Sequence, residues 1–389
     1  MTDDISRRRF LGRGAVAAAG LGGMASLLSA CGIEGAASKA QAQLAAAAQT
    51  VNHPKVPIGK WTFANWPLYI DEDTVKDFDR KFGGTCRYVE EINENADFFG
   101  KVRQQLARGT PIGRDIVVLT DYMAGRWVRS GYCTPIDRRN VPNAKNLVNN
   151  LQSIAWDPQR NYSLPWQSGA IGLGYDIKQT KREITSIKEL FSPEWKGRVT
   201  MLNEQYDTAG TTLLMQGKDP TNATIDEQVE AIELVGRAND EGQFRRFTGN
   251  DYTTDLTKGN VAIALAYSGD LVQLRADNPN LRFSYPDEGA MLFTDNMLLP
   301  EGVQHPYAAE TMMNYVYDPE VAARICAYVN YISPVEGIQE ILAKTDPEIA
   351  SNDLIFPTDA IRRKFHAYPA LTPSEEQTAN EAMAKVTGG

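Results

Sequence analysis

The amino-acid sequence predicts an α/β protein of two lobes, each a three-layer sandwich of helices around a sheet, with a ligand cleft between the lobes. A chain of 389 residues is long enough to bury more than one core. Its 42% hydrophobic and 23% charged residues are typical of a globular protein. Short apolar strands alternate with helical patterns, which indicates parallel βαβ units. We place the first lobe at residues 60–163 plus 268–315 and the second at residues 164–267 plus 316–389.

The first 31 residues have the pattern of an export signal. An arginine triplet ending at Arg9 precedes an uncharged run over residues 15–30, which is too short to span a membrane. The run ends in Leu-Ser-Ala-Cys at Cys31, which matches a bacterial lipobox; the alternative is a coincidental cysteine in a leader. The pattern predicts twin-arginine export, lipid attachment at Cys31 and a tether over residues 32–59. The protein would then be anchored on the outer face of the cytoplasmic membrane, in the periplasm or at the cell surface.

The predicted signal carries a positive net charge, so the rest of the chain is more acidic than the whole. The whole chain has a formal net charge of −9, but residues 1–31 contain four arginines and two aspartates, so the remainder carries −11. An acidic surface repels phosphate backbones, and we therefore expect no nucleic-acid partner. Because many soluble proteins are acidic, the sum alone does not identify a ligand.

The first lobe begins with three predicted strands and the helices between them. Strands are expected at residues 61–63, 87–90 and 115–119, and helices at residues 71–82, 95–108 and from Tyr122 to Gly131. Residues 66–69 and 120–122 are predicted as loops that follow the first and third strands. Ligands of open α/β sheets bind outside the carboxyl ends of the strands, so both loops should lie on one rim of the cleft.

The second lobe and the C-terminal third are less regular. Residues 162–166 lead into an apolar, glycine-rich strand at residues 170–175. The other expected elements are helices near 187–191 and 207–215, strands at 199–202, 261–267 and 291–299, and a mainly helical region after residue 308. Asp295 interrupts the last of these strands, and a buried carboxylate is costly unless it has a partner.

Three cysteines remain once Cys31 is lipidated: Cys86, Cys133 and Cys326. We expect buried free thiols, because twin-arginine substrates fold in the reducing cytosol before export. A disulfide between Cys86 and Cys133 is the alternative.

Motifs of the common enzyme classes are absent from the sequence. It contains no Gly-x-Ser-x-Gly elbow, no phosphate loop and no dinucleotide-binding fingerprint. Its three histidines are scattered, so we expect no metal site, no cofactor and no catalysis. The enzymatic alternative is a lipid-anchored, glycosidase-like protein that uses Glu204 and Asp270 as paired carboxylates.

Aromatic and acidic residues follow the predicted strands of both lobes. They are Trp66, Tyr69, Thr120 and Tyr122 on the first lobe, Glu204 and Asp207 on the second, and Tyr267, Asp270 and Asp295 near the place where strands are expected to cross between the lobes. An ammonium group is attracted to ring faces by ~0.5–2 kcal/mol per contact and forms charge-assisted hydrogen bonds with carboxylates. With four carboxylates, four rings and no Lys or Arg, the set predicts a site for an α,ω-diamine.

Each of these side chains also has a structural alternative. Trp66, Tyr69 and Tyr122 could pack as core residues. Glu204 and Asp207 could complement the dipole of a helix N-terminus, and Asp270 could cap a turn.

Several motifs resemble those of a known family. They are Phe63-Ala-Asn-Trp-Pro-Leu-Tyr-Ile70, Asp115-Ile-Val-Val118 with Tyr122, Asn161-Tyr-Ser-Leu-Pro165, Trp195-Lys-Gly197, Tyr267-Ser-Gly-Asp270 and Pro286-Asp-Glu-Gly-Ala290. Together they resemble the spermidine/putrescine-binding components of bacterial ABC importers, which have a two-lobed, periplasmic-binding-protein-like (type II) fold. The resemblance runs from about Trp61 to Tyr331.

The resemblance implies a role for each candidate residue. Trp66 and Tyr69 would line the ligand cleft, and Thr120 and Tyr122 would close it from the first lobe. The four acids Glu204, Asp207, Asp270 and Asp295 would bind the amino groups of the ligand. The lobes would close over a polyamine or related cationic amine by hinge motion and deliver it to permease subunits driven by a cytoplasmic ATPase. A monomer is expected.

Three positions depart from the pattern of this family. It usually has Trp where Tyr267 stands, Ser where Thr120 stands, and an acidic or polar residue where Leu68 stands. The departures leave open the length of the amine and the alternative of another solute, such as an opine, a different amine or a sugar.

Overall fold

Two long strands, β5 (Ser163–Asp176) and β10 (Ala290–Pro300), run side by side through the centre of a computed structural model that describes residue 44 and residues 46–388. All fourteen residues of β5 are buried. A strand was predicted only at residues 170–175, but β5 is one continuous strand that begins at Ser163. Its continuity depends on partners on both edges, since β5 pairs antiparallel with β10 on one side and with β8 on the other.

The described strands form one mixed sheet of eleven members. Besides β5 and β10 they are β1 (Gly59–Asn65), β2 (Gly84–Glu90), β3 (Ile116–Thr120), β4 (Cys133–Thr134), β6 (Val199–Leu202), β7 (Phe244–Thr248), β8 (Ile263–Tyr267), β9 (Leu281–Ser284) and β11 (Phe365–His366). Their main order is β2-β1-β3-β10-β5-β8-β6-β7, with β4 and β11 on β10 and β9 on β5. β1 is parallel to β2 and β3, and β6 is parallel to β7 and β8.

Helices cover the two groups of parallel strands. The α-helices are Glu72–Phe82, Asn95–Ala107, Asp121–Arg129, Ile177–Thr180, Gln205–Met215, Ile225–Asp240, Tyr252–Thr257, Ser268–Leu274, Pro306–Val316, Pro319–Val329, Ile338–Thr345, Pro347–Ala350, Asp359–Arg362 and Pro373–Thr387. We refer to β1–β3 and the first three of these helices as the first lobe, and to β6–β8 with helices Gln205–Met215 and Ile225–Asp240 as the second lobe. The lobe boundaries given in the sequence analysis stay a prediction.

The predicted strands and helices of the first lobe are confirmed to within a few residues. Helix Glu72–Phe82 begins after Asp71, whose carboxylate accepts from the Thr74 amide, and it ends at Gly83 with a φ of 75°. The expected loop at residues 120–122 is wrong, because helix Asp121–Arg129 begins directly after β3. Thr120 is the residue before this helix, but its hydroxyl makes no cap and bonds to Asp295 instead.

Strand β6 lies where the sequence predicts it, β8 begins two residues later than predicted, and the following helix begins earlier. Helix Gln205–Met215 starts two residues before the predicted position, so Asp207 lies in its first turn. The predicted helix near residues 187–191 is a 3-10 turn, Ile187–Phe191. The C-terminal helix Pro373–Thr387 packs on this lobe through Ala379 and Met383, which contact Ala209 and Ile232.

Residues at the end of the predicted tether are bonded to the folded part of the chain. His53 Nδ1 lies 2.6 Å from Oε1 of the fully buried Glu310. The Arg139 guanidinium donates to the carbonyl of Val51 at 3.0 Å and to Asn52 Oδ1 at 2.9 Å. The predicted signal, Cys31 and residues 32–43 and 45 of the predicted tether lie outside the described residues.

The cysteines of the described part are all free thiols, as expected: Cys86, Cys133 and Cys326. Burial raises the pKa of the Cys133 thiol well above its usual value, so this thiol is not activated for chemistry. No helix in residues 46–388 is both long enough and apolar enough to cross a bilayer.

Candidate functional site

One cavity lies where strands of both lobes end. Its empty volume is about 440 Å³, and it is lined by all nine residues predicted from the sequence: Trp66, Tyr69, Thr120, Tyr122, Glu204, Asp207, Tyr267, Asp270 and Asp295. Thr120 and Tyr267 are the last residues of β3 and β8, and Trp66 directly follows β1. The structure therefore brings the whole predicted set together at the carboxyl ends of the strands. That these side chains bind a ligand stays a prediction.

Asp295 enters the cavity from the middle of β10. The register between β10 and β5 shifts between Thr294 and Asn296, which leaves Asp295 unpaired with β5. Such a bulge re-aims a side chain. The carboxylate accepts from the hydroxyls of Tyr69 and Thr120, both at 2.8 Å, and is 3% exposed. Burial raises the pKa of Asp295 to about 7, although the two hydroxyls oppose the shift.

Asp207, in the first turn of helix Gln205–Met215, has two tyrosine hydroxyl donors. It accepts from Tyr368 Oη at 2.5 Å and from Tyr267 Oη at 3.2 Å. Burial raises the pKa of Asp207 to about 8, and the neighbouring Glu204 carboxylate adds to the shift. At neutral pH a large fraction of this group therefore carries a proton.

Asp270, in the first turn of helix Ser268–Leu274, has three donors. Its carboxylate accepts from Tyr331 Oη at 2.6 Å, Tyr252 Oη at 2.7 Å and Asn250 Nδ2 at 3.1 Å. The Tyr252 hydroxyl also accepts from the Tyr267 amide at 2.9 Å, which ties this group to the end of β8. Burial raises the pKa of Asp270.

Glu204 differs from the other acids because its donors come from the opposite lobe. Its Oε1 accepts from the Asn95 amide at 2.9 Å and from Asn95 Nδ2 at 3.1 Å, and its Oε2 accepts from Tyr122 Oη. Asn95 Nδ2 also lies 3.0 Å from Thr120 Oγ1. Burial raises the pKa of Glu204.

Aromatic rings form the walls between the carboxylates. Tyr69 and Tyr331 meet edge to face at 5.1 Å between centroids, and Tyr267 meets Phe293 in the same way at 5.4 Å. Trp66 is 7% exposed, and its indole N–H donates to the carbonyl of Val118 at 3.1 Å. These rings present flat apolar surface and electron-rich faces to whatever the cavity holds.

The charges in the cavity all have one sign. Four carboxylates line it, and no Lys or Arg does so within residues 46–388. Each ion pair in this range of the chain lies elsewhere: none involves Glu204, Asp207, Asp270 or Asp295. Buried carboxylates without a cation are costly. The arrangement therefore favours a cationic solute and disfavours an anionic one.

Six residues that line the cavity are missing from the sequence-based set: Pro67, Asn95, Asn250, Phe293, Tyr331 and Tyr368. Pro67 and Phe293 lie next to predicted residues and could have been inferred from them. Tyr331 and Tyr368 return from the C-terminal third, where no sequence signal connects them with the cavity. Leu68, one of the departures from the family pattern, does not line this cavity; it is 49% exposed and has a φ of 55°.

The fold and the cavity together define a two-lobed α/β binding protein of type II. Residues 73–357 match the family model described as "bacterial extracellular solute-binding protein", and the chain belongs to this family. The family consists of solute-binding transport proteins. The protein is therefore not an enzyme, and the glycosidase-like alternative is wrong.

Proteins of similar sequence and a similar solved structure support the assignment to solute-binding proteins. The putrescine-binding periplasmic protein PotF of Escherichia coli (strain K12) is 27% identical over 345 residues, which cover 84% of this chain and 90% of PotF. SpuD of Pseudomonas aeruginosa (strain UCBPP-PA14), also a putrescine-binding periplasmic protein, is 23% identical over 84% of this chain and 91% of its own. The solved structure of a putative spermidine/putrescine ABC transporter from Listeria monocytogenes has a TM-score of 0.74 at 23% identity, covering 84% of this chain and 98% of that one. This likeness confirms the predicted fold.

Proposed function

We propose that the protein is the solute-binding component of an ABC importer and that it binds a polyamine, such as putrescine or spermidine, in the cavity lined by the four carboxylates. The observation that carries the proposal is the group of four carboxylates, three of them buried, with no Lys or Arg among the cavity's lining residues in the described chain. The names of the relatives point to the same class of ligand.

Each end of an α,ω-diamine needs acceptors for its ammonium protons. Asp295 has two neutral hydroxyl donors and Asp207 has two, so each carboxylate keeps lone pairs for a further donor. Hydrogen bonds to charged groups contribute about 1.5–3 kcal/mol each. The two carboxylates thus supply strong acceptors, while Glu204 and Asp270 add negative charge to the same cavity.

The apolar middle of the ligand needs a different surface. Methylene groups gain about 0.8 kcal/mol each when they are buried, and the rings of Trp66, Tyr69, Tyr122 and Tyr267 provide that surface. Rings above and below a chain of methylenes also place ammonium groups near their electron-rich faces. An anion or a neutral sugar would bring no positive charge to balance the negative charge of the carboxylates.

The delivery route is part of the same proposal. A signal over residues 1–31 would send the folded protein through the twin-arginine pathway, and diacylglycerol on Cys31 would hold it outside the cytoplasmic membrane. Membrane permease subunits with a cytoplasmic ATPase would receive the solute. Incorporation of labelled fatty acid into the protein, lost in Cys31→Ala, is the expected result; equal labelling of the variant would contradict the anchor.

A thermal-shift panel tests the proposed ligand. The purified protein is heated with putrescine, spermidine, cadaverine, agmatine and a neutral sugar. At 100 times its Kd a ligand stabilises the native state by about 2.7 kcal/mol, so at least one amine should raise the Tm by several degrees. A response to the sugar together with silence from all four amines would refute the proposal.

A further inference from the structure

We propose that two acids of the second lobe, Glu204 and Glu376, form a latch that holds the cleft shut, and that the role of Glu204 is closure rather than binding of an ammonium group. The proposal deepens the proposed function, and its kinetic arm rests on the amine ligand.

Asp295 and Asp207 are satisfied without contact between the lobes. Asp295 lies beside β3 and accepts from the first-lobe residues Tyr69 and Thr120. Asp207 accepts from Tyr267, at the end of β8, and from Tyr368 of the C-terminal segment. Because these bonds do not join the two lobes, they exist whether or not the cleft is closed.

Glu204 has the opposite arrangement. All three of its hydrogen-bond donors belong to Asn95 and Tyr122 of the first lobe. Helix Asn95–Ala107 has Glu94 before it, and the Glu94 side chain makes no capping bond. The Asn95 amide, at the start of that helix, is satisfied by Glu204 across the cleft. A carboxylate at a helix N-terminus is also favoured by the helix dipole, so closure of the lobes supplies the cap that the helix lacks.

A second bond reinforces the first at the same place. Asn203 Nδ2 donates to Glu94 Oε2 at 2.6 Å. Residues 94 and 95 therefore bond to residues 203 and 204 as a reciprocal pair. With three donors already on Glu204, little acceptor capacity remains for an ammonium group.

Glu376 makes the outer part of the latch. It projects from the C-terminal helix, which packs on the second lobe, yet its carboxylate lies 3.5 Å from Arg126 Nη1 and 3.5 Å from Arg129 Nη2 of the first lobe. Its side chain is only 6% exposed, whereas the two arginines are 37% and 42% exposed. Burial raises the pKa of Glu376 and the arginines oppose that shift. This helix begins after residue 357, where the match to the family model ends.

Two substitutions test the latch without touching the cavity, since neither Asn203 nor Glu376 lines it. The variants are Asn203→Ala and Glu376→Gln. The matched control is Glu194→Gln, which removes the charge from an exposed ion pair with Arg182 that involves no residue of the latch. Two readouts are needed, one with ligand and one without.

The first readout is the exchange of backbone amides in ligand-free protein, measured on a peptide that contains Asn95. We expect exchange of the Asn95 amide to be at least fivefold faster in both variants than in the wild type and the control. The second is stopped-flow fluorescence with putrescine, in which dissociation should be about tenfold faster in both variants while association changes less than twofold.

The possible outcomes separate the latch from the ligand. Unchanged exchange in both variants would overturn the latch, whatever the kinetics. Dissociation of putrescine at the wild-type rate from both variants would overturn it as well. Faster exchange in the variants, in a protein to which putrescine does not bind at all, would support the latch and refute the proposed amine.

Discussion

Hydroxyl groups are the main partners of the carboxylates in the cavity. Tyr69, Thr120, Tyr267 and Tyr368 donate to Asp295 or Asp207. A hydroxyl gives one hydrogen bond and no charge. It therefore holds the carboxylate in place but leaves its negative charge for the solute, which an arginine in the same position would cancel.

The substitution Asp295→Asn tests this role. It keeps the shape of the side chain and removes the charge, so we expect the Kd for putrescine to rise more than tenfold, or about 1.4 kcal/mol. The Tm without ligand should not fall, because the pKa of Asp295 shows that its buried charge is unfavourable. Titration calorimetry measures the Kd for putrescine of the wild type and of the variant. Asp287→Asn, whose side chain is 71% exposed, is the control; an equal effect in it would contradict the assignment.

The raised pKa values predict how stability depends on pH. Asp207 and Asp295 titrate near 8 and 7 in the native protein and near 4 when unfolded. Between pH 4 and these values the native state binds more protons than the unfolded state, so the free energy of unfolding falls as pH rises, by at most about 1.4 kcal/mol per pH unit for each group. Urea unfolding between pH 5 and pH 8.5 measures the slope.

The variant Asp207→Asn should show a smaller loss of stability over the same pH range, because it lacks one of the two groups. A slope equal to that of the wild type would show that Asp207 does not titrate in this range. With ligand the sign is reversed: an ammonium group favours the ionised carboxylates, so the affinity for putrescine should increase from pH 6 to pH 8.

The sequence was sufficient to predict nine of the residues that line the cavity. The predicted residues lie at a strand end or within five residues after it, except Asp295, which lies inside an apolar run, and both are local signals. Tyr331 and Tyr368 could not be found in this way. Their contacts with Asp270 and Asp207 span 61 and 161 positions of the chain and depend on how the C-terminal third returns.

Two helices of the site begin without a side-chain cap of their own. Thr120 and Glu204 stand at the N-cap positions of helices Asp121–Arg129 and Gln205–Met215, yet neither makes a capping bond. The Thr120 hydroxyl donates to Asp295, and the Glu204 carboxylate accepts from Asn95. Functional sites often break local rules of this kind.

Helix Ser268–Leu274 provides a test at the scale of an element. A Cβ on Gly269 would lie 2.3 Å from the ring of Tyr331, the residue that donates to Asp270. We expect Gly269→Ala to displace that ring, to lower the free energy of unfolding by about 1–3 kcal/mol and to weaken putrescine binding. Urea unfolding and calorimetry measure the two effects.

The control for this substitution is Gly100→Ala, in helix Asn95–Ala107. A Cβ there has no atom within 4 Å, and alanine is favoured over glycine in helices by about 0.8–1 kcal/mol. This variant should be more stable than the wild type. If Gly269→Ala were equally well tolerated, the proposed packing of Tyr331 on Gly269 would be wrong.

The arrangement of the whole molecule depends on contacts between distant parts of the chain. Alternation of strands and helices predicted the α/β class and the two lobes, because each βαβ unit is local. It did not predict that β5 is a single strand, since this depends on pairing with β8 and β10, which lie about 90 and 130 residues further along the chain. The contacts of the proposed latch are of the same kind, because those of Asn95 with Glu204 and of Arg126 with Glu376 span 109 and 250 positions of the chain.

The central claim is that the charge of the cavity selects a cationic amine, and calorimetry with two ligands of the same length tests it most directly. Putrescine and 1,4-butanediol have the same four methylenes and differ in their end groups. We predict that one putrescine binds per protein with release of protons at pH 7, because Asp207 and Asp295 must ionise, and that the diol binds at least 100-fold more weakly. Equal binding of the diol, or no binding of any amine where a neutral sugar binds, would contradict the account.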